Sequence, residues 1–108
     1  MQTLKPTEVA QVSEKLVEEW LSENGFINVV NNMGVGGIEA ILANGSIENI
    51  FVHVRSNIHP AGPVKVSDED RNAIKATAEG LGRMAYVAYV VIDEGKNVVG
   101  EISWQRLS

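Results

Sequence analysis

No cysteine occurs in the 108 residues, which excludes disulfides, thiolate metal sites and cysteine nucleophiles together. No run of about 18 apolar residues is present either, and no basic-then-apolar leader follows Met1. No membrane insertion or export is therefore expected, and a cytoplasmic location follows. Histidine is scarce. His53 and His59 are the only two, and neither lies near a recognisable nucleophile motif, so no Ser-His-Asp arrangement is supported.

What is present suits one folded unit. At 44% hydrophobic and 21% charged residues the chain has the composition of an ordinary globular domain, long enough for one core and too short for two, so residues 1–108 are expected to form a single domain. The net charge of -5 opposes indiscriminate binding of polyanions, yet it is unevenly spread. Residues 1–50 set Lys5 and Lys15 against seven glutamates, whereas residues 51–83 carry a slight cationic excess through Arg55, Lys65, Arg71, Lys75 and Arg83. The middle third is where an anionic ligand would be tolerated. A solvated surface of mixed charge explains the same numbers.

Pro6 and Thr7 open a helix that Thr7 is placed to cap, and Val9, Val12, Leu16 and Trp20 line one face of about four turns before Asn24-Gly25 stops it. Phe26–Asn31 then reads as a strand. Gly34-Val35-Gly36-Gly37 lacks the spacing and the following Lys-Ser or Lys-Thr of a phosphate-cradling loop, so it reads as a connection. Two apolar runs, Ile38–Ala43 and Ile47–Val54, flank Asn44-Gly45, the signature of a tight hairpin. Pro60, Gly62 and Pro63 make Asn57–Val66 a loop. Ser67 and Asp70 form a capping pair for a second helix with Ile74, Ala78 and Leu81 on its inner stripe, ended by Gly80 and Gly82. Met84–Ile92 is continuously apolar and predicts a strand covered on both faces; after a turn at Asp93–Asn97, the alternating stretch Val98–Trp104 belongs at a sheet edge.

The polar residues of the hairpin are the functional clue. Glu39 lies in its first arm, and His53 and Arg55 fall two apart in the second, so the latter two share a face. A two-residue turn sets Glu39 opposite Ile50 and away from them; sharing a face requires a bulge or an odd register shift. A salt bridge between Glu39 and Arg55, with His53 as a hydrogen-bonded strand residue, accounts for the cluster without function.

In order, the elements are helix, three strands, helix, two strands. Together with Gly37-Ile38-Glu39-Ala40-Ile41 and Val52-His53-Val54-Arg55-Ser56, this order resembles the PD-(D/E)XK nuclease superfamily. Those two segments match its Gly-aliphatic-Asp and aliphatic-Glu-aliphatic-Lys-Ser motifs in frame. Glu14 and the run Trp20–Phe26 are similar to the helix-then-Gly-aromatic entry of resolvase-like members. The resemblance implies a restriction-endonuclease-like α/β fold, an αβββαβ(β) three-layer core with a mixed sheet flanked by helices.

In active members of that family the Asp and Glu hold a divalent cation and the Lys stabilises charge on the attacking water and phosphate. Here Glu39, His53 and Arg55 stand at those positions, with Glu14 a further candidate. Imidazole is a poor Mg²⁺ ligand, and a guanidinium does not exchange a proton near neutral pH. The expectation is a degraded metal site, little or no cleavage, no resident cofactor, and a remaining role in binding nucleic acid, DNA foremost. Arg71 and Lys75 lie on the helix whose family counterpart leans on nucleic acid; they also suit solvated partners of Glu79 and Asp68. Two other functions fit. One is an active Mg²⁺- or Mn²⁺-dependent endonuclease or phosphodiesterase, with Glu39 and His53 on the metal and Arg55 on the phosphate. The other is an interaction module that forms a homodimer through the edge strand Val98–Trp104. For Trp20 and Trp104, core packing is expected over base stacking.

Overall fold

A computed structural model describes residues 4–32 and 38–107. In them the chain forms α1 (Pro6–Glu23), β1 (Ile27–Asn32), β2 (Ala40–Asn44), β3 (Asn49–Ile58), α2 (Asp68–Gly80), β4 (Met84–Ile92) and β5 (Ser103–Arg106). The glycine-rich connection Gly34–Gly37 lies outside the described residues. The strands make one sheet in the order β1-β2-β3-β4-β5, antiparallel throughout except for the parallel β3–β4 pair. Two parallel neighbours need a crossover, and α2 supplies it.

The two helices lie on opposite faces of the sheet, and strand alternation sorts the core between them. Ile50 and Val52 join Ala88, Val90 and Ile92 beneath Val17 and Leu21 of α1. Phe51 joins Ala85, Val87 and Tyr89 beneath Ile74 and Ala78 of α2. The expected three-layer α/β arrangement is thus present, and β4, buried on both faces, runs over the residues its apolar sequence predicts.

Several boundaries depart from the expectation for identifiable reasons. Lys5, not Thr7, occupies the cap position of α1, because Pro6 fits the first helical turn; the Lys5 N–H is held by Glu8 Oε1 at 3.3 Å. The inner stripe of α1 is Val9, Ser13, Val17 and Leu21. Val12 and Leu16 flank it, and Trp20 remains 37% exposed, stacked on Trp104 with ring centroids 4.8 Å apart. Ser67 does cap α2, its hydroxyl accepting from the Asp70 N–H at 3.1 Å, but Leu81 falls beyond the helix and is exposed.

The hairpin differs most. Asn44 pairs with Asn49 across a four-residue loop, closed by the Gly45 N–H donating to the Glu48 carbonyl at 2.9 Å. Tertiary contacts override the two-residue turn signal. Arg83 Nη1 donates to Asn44 Oδ1 and to the Ala43 and Ile50 carbonyls, and Gly45 is pressed so closely on Phe26 that a Cβ there would lie 2.8 Å from the ring. The second arm, β3, therefore starts two residues later than predicted and runs four residues further, because β4 offers parallel partners as far as Ile58. The last strand also moves: β5 is Ser103–Arg106, and Val98 makes only an isolated bridge to Ile92.

Candidate nucleic-acid interface

Four elements meet at one end of the sheet. Glu14 comes from α1, one residue after the buried Ser13. Asn31 comes from β1, Glu39 directly precedes β2, and His53 lies midway along β3; together with Ala40, Ile41 and Val54 they line a small cavity of about 30 Å³. That volume admits a water or one small ion. Asn31 Nδ2 donates to Glu14 Oε1 at 2.6 Å, which turns the carboxylate inward and uses part of its acceptor capacity.

The ladder of the hairpin ends at the Ile41–Val52 pair. Continuing its register by one step sets Ala40 opposite His53, and by two steps Glu39 opposite Val54, so in pure alternation Glu39 would face α1 while His53 and Arg55 face the α2 side. The structure joins Glu39 to His53 by another route. His53 Nδ1 lies 2.9 Å from the backbone carbonyl of Glu39. A carbonyl only accepts, so Nδ1 carries the proton, and in the neutral ring Nε2 keeps its lone pair. The side chain of Glu39 stays exposed, and the expected bridge between its carboxylate and Arg55 does not form.

Arg55 belongs instead to an adjoining groove of about 460 Å³, lined by His53, Val54, Arg55, Ser56, Asn57 and Val64. His53, Arg55 and Asn57 alternate onto the same side of β3, so the period of two pointed to Asn57 as well. No carboxylate lines this groove. Beside it Lys65 sits with Nζ 4.5 Å from the ring centre of Tyr89, the direct parallel partner of Arg55. Tyr89 is almost fully buried; its hydroxyl accepts from the Val66 N–H at 3.2 Å and donates to Gln105 Oε1 at 2.5 Å, which fastens the loop before α2 to the sheet. Sequence reasoning passed over Asn31, Asn57 and Tyr89, and reached Lys65 only through the cationic excess of residues 51–83. For Asn57 the alternation along β3 carried a signal; for Asn31 and Tyr89 nothing did.

Arg71 and Lys75 line neither the cavity nor the groove. Among the described residues neither is ion-paired, so the expected pairing with Asp68 and Glu79 is absent. The sole ion pair among those residues is Arg106 with Glu48, at the other end of the sheet.

The donor set answers poorly to a divalent cation. Glu14 is engaged by Asn31, Glu39 offers its backbone inward, and among the described residues no three of His, Cys, Asp and Glu stand close enough together to hold a metal. Mg²⁺ asks for near-octahedral oxygen ligands at about 2.1 Å, several of them commonly water.

No protein-family model matches the chain, and no curated protein matches it by sequence. Its fold is similar to that of Hjc, a Holliday junction resolvase from the archaeal hyperthermophile Archaeoglobus fulgidus, with a TM-score of 0.61 over 90% of this chain and 76% of that one, at 17% sequence identity. The fold is restriction-endonuclease-like. In this restriction-endonuclease-like frame the likeness bears out, at the level of the fold, the resemblance read from the two hairpin motifs and the first helix. It leaves the roles of Glu14, Glu39, His53 and Arg55 to be argued from their own chemistry.

Proposed function

We propose that this chain binds nucleic acid through the groove beside His53 and Arg55 and does not cut it. The observation that carries the proposal is the composition of that groove: a guanidinium, an imidazole, a hydroxyl and an amide, with no carboxylate and with Lys65 alongside. A guanidinium grips a phosphate with two parallel N–H donors, and the amide and hydroxyl add neutral contacts that fix the register of the backbone. Cutting a phosphodiester in this fold asks for more. It needs an ion held by carboxylates and a group that manages the charge of the attacking water, whereas a guanidinium does not exchange a proton near neutral pH and Glu14 and Glu39 line the neighbouring cavity, not this groove. DNA is the favoured ligand, and the fold of a Holliday junction resolvase favours branched DNA as the first form to test.

The gathering of Glu14, Glu39 and His53 at one cavity favours a second reading, a Mg²⁺- or Mn²⁺-dependent nuclease in which ligand closes the site. One experiment separates the two. Affinity for branched, duplex and single-stranded DNA is measured between about 50 and 200 mM salt, and the same DNAs are incubated with Mg²⁺ or Mn²⁺. Binding that weakens steeply with salt and drops in Arg55→Ala, without cleavage, supports the binder. Cleavage abolished by Glu39→Ala establishes the enzyme instead.

A further inference from the structure

Two cations at the groove have no anion of their own. Arg55 lines it and Lys65 stands at its rim, next to the lining residue Val64; among the described residues neither has a carboxylate within ion-pair distance. One ring brings them together. Tyr89 is the direct parallel partner of Arg55, on a strand about 4.8 Å away, and the same ring carries Lys65 Nζ 4.5 Å from its centre. The acidic run that follows Lys65 in the chain, Asp68, Glu69 and Asp70, opens α2 and lines no part of the groove.

Lys65 is placed, not merely exposed. The Tyr89 hydroxyl accepts from the Val66 N–H at 3.2 Å, so the backbone one residue on is fixed to the side chain whose ring the ammonium rests against. Burial of Tyr89 and its bond to Gln105 Oε1 at 2.5 Å hold that ring in turn. Two like charges are thus set side by side before any ligand arrives, and they repel until an anion neutralises both.

The number of charges and oxygens that such a pair can use decides which phosphate suits it. A phosphodiester within a strand carries one charge and two non-bridging oxygens. A phosphomonoester, at a strand end or on a free nucleotide, carries a charge of about -1.5 to -2 at pH 7 and three terminal oxygens. The fork of Arg55 can take two of those oxygens and the Lys65 ammonium the third. Asn57, on the same side of β3 as Arg55, leaves an amide for the attached sugar. The groove volume of about 460 Å³ is that of a site for one small ligand.

From this we propose that Arg55 and Lys65 together bind a phosphomonoester in preference to the diester of an unbroken strand. The proposal rests on the groove being a nucleic-acid site and narrows its ligand to a strand end or a nucleotide. The affinity of the full chain is measured by fluorescence anisotropy for one internally labelled DNA oligonucleotide with a phosphate at its 5′ end, at its 3′ end or at neither, at constant ionic strength. One phosphorylated form is expected to bind about tenfold more tightly than the form with neither. Lys65→Gln should bring that ratio close to one while changing the unphosphorylated form little, and Lys65→Arg should keep most of it. Competition with deoxyadenosine monophosphate separates the two sources: displacement at concentrations like those of the phosphorylated oligonucleotide assigns the site to free nucleotides, and displacement only at far higher ones assigns it to strand ends. Equal affinity for all three forms, with binding still lowered by Arg55→Ala, would overturn the phosphomonoester and leave the groove standing. A preference that survives Lys65→Gln would overturn the role of the pair, and binding unaffected by Arg55→Ala would remove the groove itself.

Discussion

His53 donates its Nδ1 proton to the main-chain carbonyl of Glu39, 2.9 Å away, so the two motif residues are joined without the Glu39 side chain taking part. Glu39→Ala should therefore leave thermal stability within about 0.5 kcal/mol of the parent, whereas His53→Ala should cost about 1 kcal/mol through the lost hydrogen bond. Urea denaturation of both variants checks the contrast. A large loss in Glu39→Ala would mean that its carboxylate is structural.

On the proposed reading, Glu39, His53 and Arg55 stand where the resemblance places a metal site, and introducing the residues of its motifs there should create metal affinity. The triple variant Glu39→Asp, His53→Glu and Arg55→Lys is expected to bind Mn²⁺ measurably by calorimetry where the parent does not, since a second carboxylate adds the charge a hard cation requires. Equal affinity in parent and variant would refute this.

Arg55→Ala is expected to reduce the slope of log affinity for DNA against log salt by about 1, the share of one phosphate contact. Arg71→Ala, on a surface outside the groove, should change it less. The ranking of the two slopes is the measurement, and a reversed ranking moves the interface to α2.

Ser13 is fully buried on the inner face of α1, and its hydroxyl has no hydrogen-bond partner among the described residues. Ser13→Ala removes the desolvated group without changing the fit of the helix, so a gain of about 1 kcal/mol is expected in the same denaturation experiment. A loss would reveal a partner for the hydroxyl.

Glu18 has its carboxyl pushed above the usual range, first by burial and then by the neighbouring charges of Glu14 and Glu19, with Lys15 opposing them. The native state then holds the proton to a higher pH than the unfolded chain does, so stability falls as pH rises through that window and the charge is a cost at pH 7. Because the group is largely solvated and screened, Glu18→Gln should raise the melting temperature at pH 7 by only about 1–2 °C. Below the carboxylate range the difference should vanish, and thermal scans at pH 3 and pH 7 test both halves.

How far the sequence could be read follows from where local and tertiary preferences agree. Met84–Ile92 was legible residue for residue because a strand buried on both faces has no polar interruption to mislead. The Ser67 cap was legible because it is a local bond. In α1 the inner stripe was missed by one position since Ser13, a polar residue, occupies its second place, and Val12 and Leu16 made a plausible stripe of their own. Asn44-Gly45 is a strong turn signal, but Arg83 claims Asn44 and Phe26 packs on Gly45, contacts from distant parts of the chain that no short window contains. At the candidate site, the motif positions set Glu39, His53 and Arg55 together, with Glu14 a further candidate, while the turn register set Glu39 apart; the cavity gathers Glu14, Glu39 and His53, and the carbonyl that joins two of them and the place of Arg55 in the next groove depend on the β2–β3 ladder ending at Ile41.

Tyr89 links three parts of the molecule: Gln105 on β5, the amide of Val66, and Lys65 resting on its ring. Clipping the chain behind Ile102 would then be felt across the sheet, slackening the wall against which Lys65 is braced. In a library of variants selected only for retention of a polyanion, position 89 should tolerate little besides tyrosine, while position 39 drifts freely.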